Sequence, residues 1–314
     1  ERYLHVNNTS SYSKRKMVFR CSLLSSVLLV SCLANAWPFL RRREIFDTAV
    51  DSPDGLIAHL AHLEGTMFGL PSNDTGAKVA EWHEGAEVNP EELGEYAEGD
   101  ILFPLGFGRN GLTAETSRWL GGVVPYIISP YFSRQLIMDA MAQYHAHTCI
   151  RFKPYNGEES DYIRITAGTT GCWSSVGRVG GRQDVNLQVP GCVTKIGTVI
   201  HELMHAVGFL HEQSRYERDD HVTIQWSNIQ QGRAGNFEKA SKGMSDAFGV
   251  GYDYGSVMHY SSNAFSTNGR PTIVPKIFHG KTNVELGQRE GFSRKDIQKI
   301  RRMYRCSKRR RSYD

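Results

Sequence analysis

The 314-residue chain lacks internal repeats and long low-complexity tracts, which excludes solenoid and filament architectures. It also lacks a large charge imbalance: a formal net charge of +4 gives no basis for a nucleic-acid partner. Beyond residue 36 no segment is apolar enough to cross a bilayer, which argues against stable membrane insertion. Lys and Arg are missing from residues 81–100, where eight acids stand, so this stretch reads as too polar for a core and as extended or loosely helical. What is present is the composition of a globular protein, 40% hydrophobic and 22% charged. Its charge is unevenly spread. Residues 37–109 carry 5 Lys+Arg against 14 Asp+Glu, net −9, and residues 110–314 carry 27 against 18, net +9. Oppositely charged pieces of one chain suggest that one covers the other.

The one long apolar run, "MVFRCSLLSSVLLVSCLANA" (17–36), has an early arginine, a signal-length apolar core and an A-x-A ending. It reads as a secretory signal cut before Trp37, with Met17 as initiator and residues 1–16 upstream of it. Secretion, with an extracellular location, places the remaining cysteines in an oxidising compartment. Those are Cys149, Cys172, Cys192 and Cys306. Four cysteines allow three pairings. A short Cys172–Cys192 loop with Cys149–Cys306 tying back the chain end is favoured without excluding the others.

From residue 110 the texture becomes that of a folded domain. "VVPYII" (123–128), "IRFK" (150–153) and "DYIRITA" (161–167) read as strands, rich in β-branched and aromatic residues. Between the first two, "FSRQLIMDAMAQYHAH" reads as a helix with Ser133 as its cap and Leu136, Ala140 and Tyr144 along one face. "TKIGTVIHELMHAV" predicts a second helix with Ile196, Val199, Ile200 and Leu203 turned to a core, and "SRKDIQKIRRMY" a closing helix capped by Ser293. Strands with a central helix against them indicate an α+β domain. The glycine-rich segment around 176–188 is expected to offer a sheet edge to an extended substrate. Seven basic residues between Arg301 and Arg311 read as a solvated tail, with 307–314 outside the domain.

The chemistry concentrates in "HELMHAVGFLHEQSRYERDD" (201–220). His201 and His205, at i and i+4, project from one helical face and suit a single metal ion. Glu202 between them can take the proton of an attacking water. A continuous helix would point His211 away, because six residues at ~100° each carry it well round the axis. Gly208 can stop the helix in a left-handed conformation and let His211 return as third ligand. H-E-x-x-H-x-x-G-x-x-H is the general metzincin pattern.

This stretch, with "GSVMHY" (255–260), closely resembles the astacin family of secreted zinc endopeptidases, over roughly residues 110–306. The resemblance implies a two-subdomain protease with a mixed twisted sheet, an active-site helix, a zinc cleft and one Zn2+ per chain. It implies His201, His205 and His211 as ligands, Glu202 as catalytic base and Met258 in the Met-turn. Tyr260 is implied as a further ligand that swings off to stabilise the transition state, and Cys149–Cys306 and Cys172–Cys192 as the disulfides. In that family an F-x-G-D aspartate holds the zinc of the precursor. Here "AEGD" (97–100) supplies Asp100 but has Ala97 in the phenylalanine position. The acidic 37–109 then becomes a propeptide, and a trypsin-like activating protease would cut between Arg109 and Asn110, since Gly106 rather than arginine stands four residues before the cut. The new N-terminus would lie near Glu212. Protein or peptide substrates follow. The rival reading is a secreted, non-catalytic binding protein of the same fold that keeps zinc for stability; Glu202 argues against it, since such a protein needs no base.

Overall fold

The computed structural model describes residues 68–103, 117–130, 134–240, 247–276 and 284–307. The signal-like run, Arg109, Asn110, Ser133 and residues 308–314 lie outside them. Strand β1 (Val123–Ile128) leads through helix α2 (Arg134–His147) to β2 (Arg151–Pro154), and β3 (Tyr162–Thr166), β4 (Cys172–Ser174) and β5 (Arg182–Leu187) follow. They form one mixed sheet in the order β2-β1-β3-β5-β4, parallel except for β4, which runs antiparallel to β5. The alternation in β3 buries Ile163 and Ile165 on one face. On α2 the buried face is Ile137, Ala140, Met141 and Tyr144, with Leu136 at its margin.

Helix α3 (Ile196–Ala206) is buried along almost its whole length. Val199, Ile200, Leu203 and Met204 have no exposed surface, and at ~1.5–3 kcal/mol each their burial offsets the cost of enclosing the helix's polar residues. The helix begins where Gly197 lies against the backbone of Arg289; a Cβ there would sit 2.1 Å from the Arg289 carbonyl oxygen, so only glycine fits. It ends at Gly208, whose φ of 113° suits glycine and whose missing Cβ would meet Met303 Cε at 2.6 Å. Met303 belongs to helix α4 (Arg294–Met303), capped by a reciprocal Ser293–Asp296 box.

Two apolar cores result. The first joins the sheet, α2, α3 and α4 and includes Met258; the second gathers Val222, Ile224, Phe237, Tyr260, Phe265 and Ile273 around the two-stranded ladder of β6 (Val222–Ile224) and β7 (Ile273–Pro275). The chain passes from one core to the other between Met258 and Tyr260. Disulfides join Cys149 to Cys306 and Cys172 to Cys192.

Two sequence expectations change here. The acidic stretch is not an uncommitted polar segment: helix α1 (Asn73–Ala80) and a 3-10 turn (Pro90–Leu93) lead into residues 96–103, where Ala97, Ile101 and Phe103 enter the first core. Its acids tolerate burial because Glu91, Glu92 and Glu98 meet donors from the body of the domain, while Asp100 is set against the imidazoles. One edge of the sheet is β2 and the other is β4, not 176–188, because β5 is already paired on both sides. The acidic segment occupies the β4 edge: Ser174 N donates to Asp100 O at 2.9 Å and Leu102 N to Ser174 O at 3.0 Å, in parallel register. Tyr96, Leu102 and Trp173 pack into a small apolar cluster beside it.

Candidate metal centre

Helix α3 carries His201 and His205 one turn apart, their ring centroids 4.7 Å from each other. The reversal at Gly208 returns His211 to within 5.1 Å and 4.7 Å of those two rings. All three are buried. His201 Nδ1 donates to the carbonyl of Val257 at 2.8 Å, and His205 Nδ1 to that of Phe209 at 2.7 Å. A carbonyl can only accept, so both Nδ1 atoms carry the proton and both Nε2 atoms present lone pairs.

Those lone pairs face a carboxylate. Asp100 Oδ2 lies 2.9 Å from His201 Nε2 and 3.3 Å from His211 Nε2, and Asp100 Oδ1 lies 3.3 Å from His205 Nε2. The Nε2 atoms of His201 and His205 are 3.1 Å apart, and Asp100 Oδ1 has no hydrogen-bond donor. Lone pairs crowded against one another in a buried site repel unless a cation lies between them. Four ligands in a tetrahedron with bonds of ~2.0–2.1 Å stand roughly 3.3 Å from each other, so the donor set fits a single zinc ion. Among the described residues this is the one His/Cys/Asp/Glu group of that kind, its four ligand atoms within 4.8 Å of one another.

The electrostatics agree. Burial works against a charge on His211, but Asp100 and Glu98 outweigh it and raise its pKa to about 10. Burial and the Arg289 charge lower His201 to about 4 despite Asp100. Burial also pushes Asp100 upward, yet the imidazoles, His211 first, hold it well below the usual carboxylate range. The site thus concentrates negative potential where one positive charge is wanted.

Glu202 is fully buried, and neither carboxylate oxygen has a hydrogen-bond partner. Burial first, then Asp100 and Glu91, raise its pKa well above the ordinary value. Met258 is buried, and its carbonyl accepts from Glu212 N at 2.9 Å. The preceding turn is pinned by Asp296, which accepts from Val257 N at 2.9 Å and Ser256 Oγ at 2.6 Å. Tyr260 is close by, its ring 4.6 Å from that of His211, but its hydroxyl donates to the Glu98 carbonyl at 2.6 Å. Asp100 takes the fourth place around the imidazoles. Glu212 accepts from Lys299 Nζ at 2.7 Å, Arg215 Nη1 at 2.9 Å and Asp253 N at 2.8 Å.

The sequence reading missed three groups. Glu98 accepts from His211 Nδ1 at 2.7 Å and from Ser214 Oγ at 2.9 Å. Glu91 forms an ion pair with the fully buried Arg289. Asp296, read only as part of a closing helix, positions the turn under His201. Glu98 stands two residues from Asp100, a nearness that was the available signal; nothing local marks Arg289 or Asp296.

The astacin peptidase family matches residues 111–305, and the chain belongs to that family. It is 48% identical over 200 residues to zinc metalloproteinase nas-15 of Caenorhabditis elegans, covering 63% of this chain and 34% of that protein. It is 48% identical over 223 residues to zinc metalloproteinase nas-13 of the same organism, covering 70% of this chain and 48% of that one. The chain therefore spans between about a third and a half of the length of these relatives. Among solved structures, high choriolytic enzyme 1, a hatching enzyme zinc-protease from Oryzias latipes, superposes with a TM-score of 0.54 at 40% identity, over 60% of this chain and 94% of that one.

Proposed function

We propose that this chain is the latent precursor of a secreted zinc endopeptidase: a signal at 17–36, a propeptide at 37–109, a catalytic domain at 110–306 and a basic tail. The observation that carries the reading is the meeting of three imidazole Nε2 atoms with the Asp100 carboxylate, a ligand set for one zinc per chain. Zinc held there supplies a Lewis acid for the scissile carbonyl and brings a water's pKa to about 7.

The chain's own groups do the rest. Glu202, with both oxygens free of hydrogen bonds, takes the proton of the attacking water and passes it to the leaving amine. Tyr260, once released from the Glu98 carbonyl, donates to the developing oxyanion. Strand β4 offers the edge along which an extended protein or peptide substrate pairs, and residues 100–102 now fill it. Latency follows from that occupancy together with Asp100, and a trypsin-like cut after Arg109 releases both. The non-catalytic alternative gives no reason for a buried carboxyl group without partners beside the imidazoles.

The test is to express the chain from Met17, cut the purified precursor with trypsin and follow casein digestion with and without a zinc chelator. The expected result is no digestion before cutting, digestion after it, and abolition by the chelator with recovery on adding zinc. Cut protein that holds one zinc yet cleaves nothing would favour the binding-protein reading.

A further inference from the structure

The three imidazoles are not held alike. His201 and His205 donate to neutral carbonyls of the catalytic domain, those of Val257 and Phe209. His211 instead donates to a carboxylate, Glu98, which comes from the acidic segment and is itself buried at 2% exposure. Ser214 fixes the other oxygen of that carboxylate, and the Glu98 carbonyl accepts from Tyr260. The backbone of Glu98 is in the left-handed region, with φ of 46°, and Gly99 follows with φ of 90°. Gly99 packs so closely that a Cβ would lie 2.9 Å from the Phe265 ring, so the turn carrying Glu98 is seated on the second core.

An anionic acceptor on Nδ1 makes the opposite nitrogen a stronger donor, and loss of such outer partners costs roughly 10- to 100-fold in metal affinity. We infer that Glu98 is a positioning residue that tightens the precursor's hold on zinc through His211, and that this hold relaxes when cleavage removes the acidic segment. The inference rests on the precursor reading above. Asp100 closes the coordination shell directly; Glu98 acts one bond network further out, on a ligand that the domain leaves without a carbonyl of its own. The precursor is thereby the form that captures and keeps the metal, and the cut enzyme the form whose metal is more electron-poor and more accessible.

The test is zinc competition against a chromophoric chelator, using full-length precursors carrying Glu98→Gln or Glu98→Gly. Glutamine keeps a hydrogen-bond acceptor but loses the charge; glycine loses the acceptor and suits the left-handed backbone. The expected result is zinc binding weaker by about 10-fold or more for Gly and by a smaller factor for Gln. After cutting at Arg109, variant and wild type become the same chain and must bind zinc identically. A second comparison does not depend on those variants folding: an Asp100→Asn precursor still holds zinc more tightly than the cut enzyme. Wild-type affinity in both Glu98 variants, or equal affinity of Asp100→Asn precursor and cut enzyme, overturns the inference. Failure of a wild-type precursor to bind zinc at all overturns the precursor reading instead.

Discussion

Two regions of this molecule supply the partners of its buried polar groups, and they differ in permanence. The catalytic domain orients His201 and His205 with its own carbonyls, and neutralises Glu212 with its own Lys299 and Arg215. The acidic segment supplies Asp100 to all three imidazoles, Glu98 to His211 and Glu91 to Arg289. The first set survives cleavage; the second leaves with residues 37–109 in the proposed activation. Groups of the second set are therefore matched in the precursor and exposed to solvent or substrate afterwards. Both regions are therefore needed to partner the polar groups around the imidazoles.

The largest effect that sharpens this division is Glu202→Gln. Glu202 belongs to the permanent region, but it makes no hydrogen bond to lose. Peptide turnover by the cut enzyme should fall by about 10²- to 10⁴-fold, the usual contribution of a positioned acid–base group, with zinc content and precursor stability unchanged. Fluorogenic peptide kinetics beside metal analysis measure both. Loss of zinc in this variant would mean that Glu202 has a structural role and the division is drawn in the wrong place.

Glu91→Gln attacks the other region. The Arg289 side chain has no exposed surface, and its Nη2 already lacks a partner, so removal of the Glu91 charge leaves a buried guanidinium without its ion-pair partner. Breaking a buried pair from one side costs about 3–5 kcal/mol. Urea unfolding of the uncut precursor should show that loss. The cut enzyme, which contains no residue 91, should unfold like wild type, and an equal loss in both would refute the assignment of Glu91 to the departing region.

Much of the permanent region was legible in the sequence because its signals are local. The i, i+4 spacing of His201 and His205, the break at Gly208 and the alternation in β3 each depend on a few neighbouring residues. Of the borrowed partners, Asp100 was named through the family resemblance, but Glu91 and Glu98 were not legible, for a physical reason. Glu91 and Arg289 are 198 residues apart, and Glu98 and His211 are 113 apart; composition showed a charge asymmetry but no pairing. Eight acids in 20 residues look like a solvated stretch, and only the folded surface opposite them turns four of those acids inward. The sheet edge was misplaced for a related reason. The turn residues Gly177, Gly180 and Gly181 drew attention to 176–188, whereas the register that leaves β4 free is set by its antiparallel pairing with β5.

Glu212 provides the smallest and most discriminating contrast, through pH. Burial opposes its ionisation, but the charges of Lys299 and then Arg215 depress its pKa from 4.5 to about 2. A carboxyl group whose folded pKa lies below its unfolded value stabilises the fold above the unfolded value, and that contribution fades as pH falls from about 4.5 through about 2. The contribution is on the order of 3 kcal/mol, from 1.36 kcal/mol per pKa unit. Both cationic partners belong to the permanent region, so thermal unfolding followed between pH 5 and pH 2 should show this loss in precursor and cut enzyme alike. Glu212→Gln should flatten it in both. If the new N-terminus at Asn110 approaches Glu212 after cutting, a third cation joins Lys299 and Arg215, and the acid loss in the cut enzyme shifts to still lower pH. Identical curves would instead mean that the pair already present saturates Glu212, leaving the N-terminus to find its partner elsewhere.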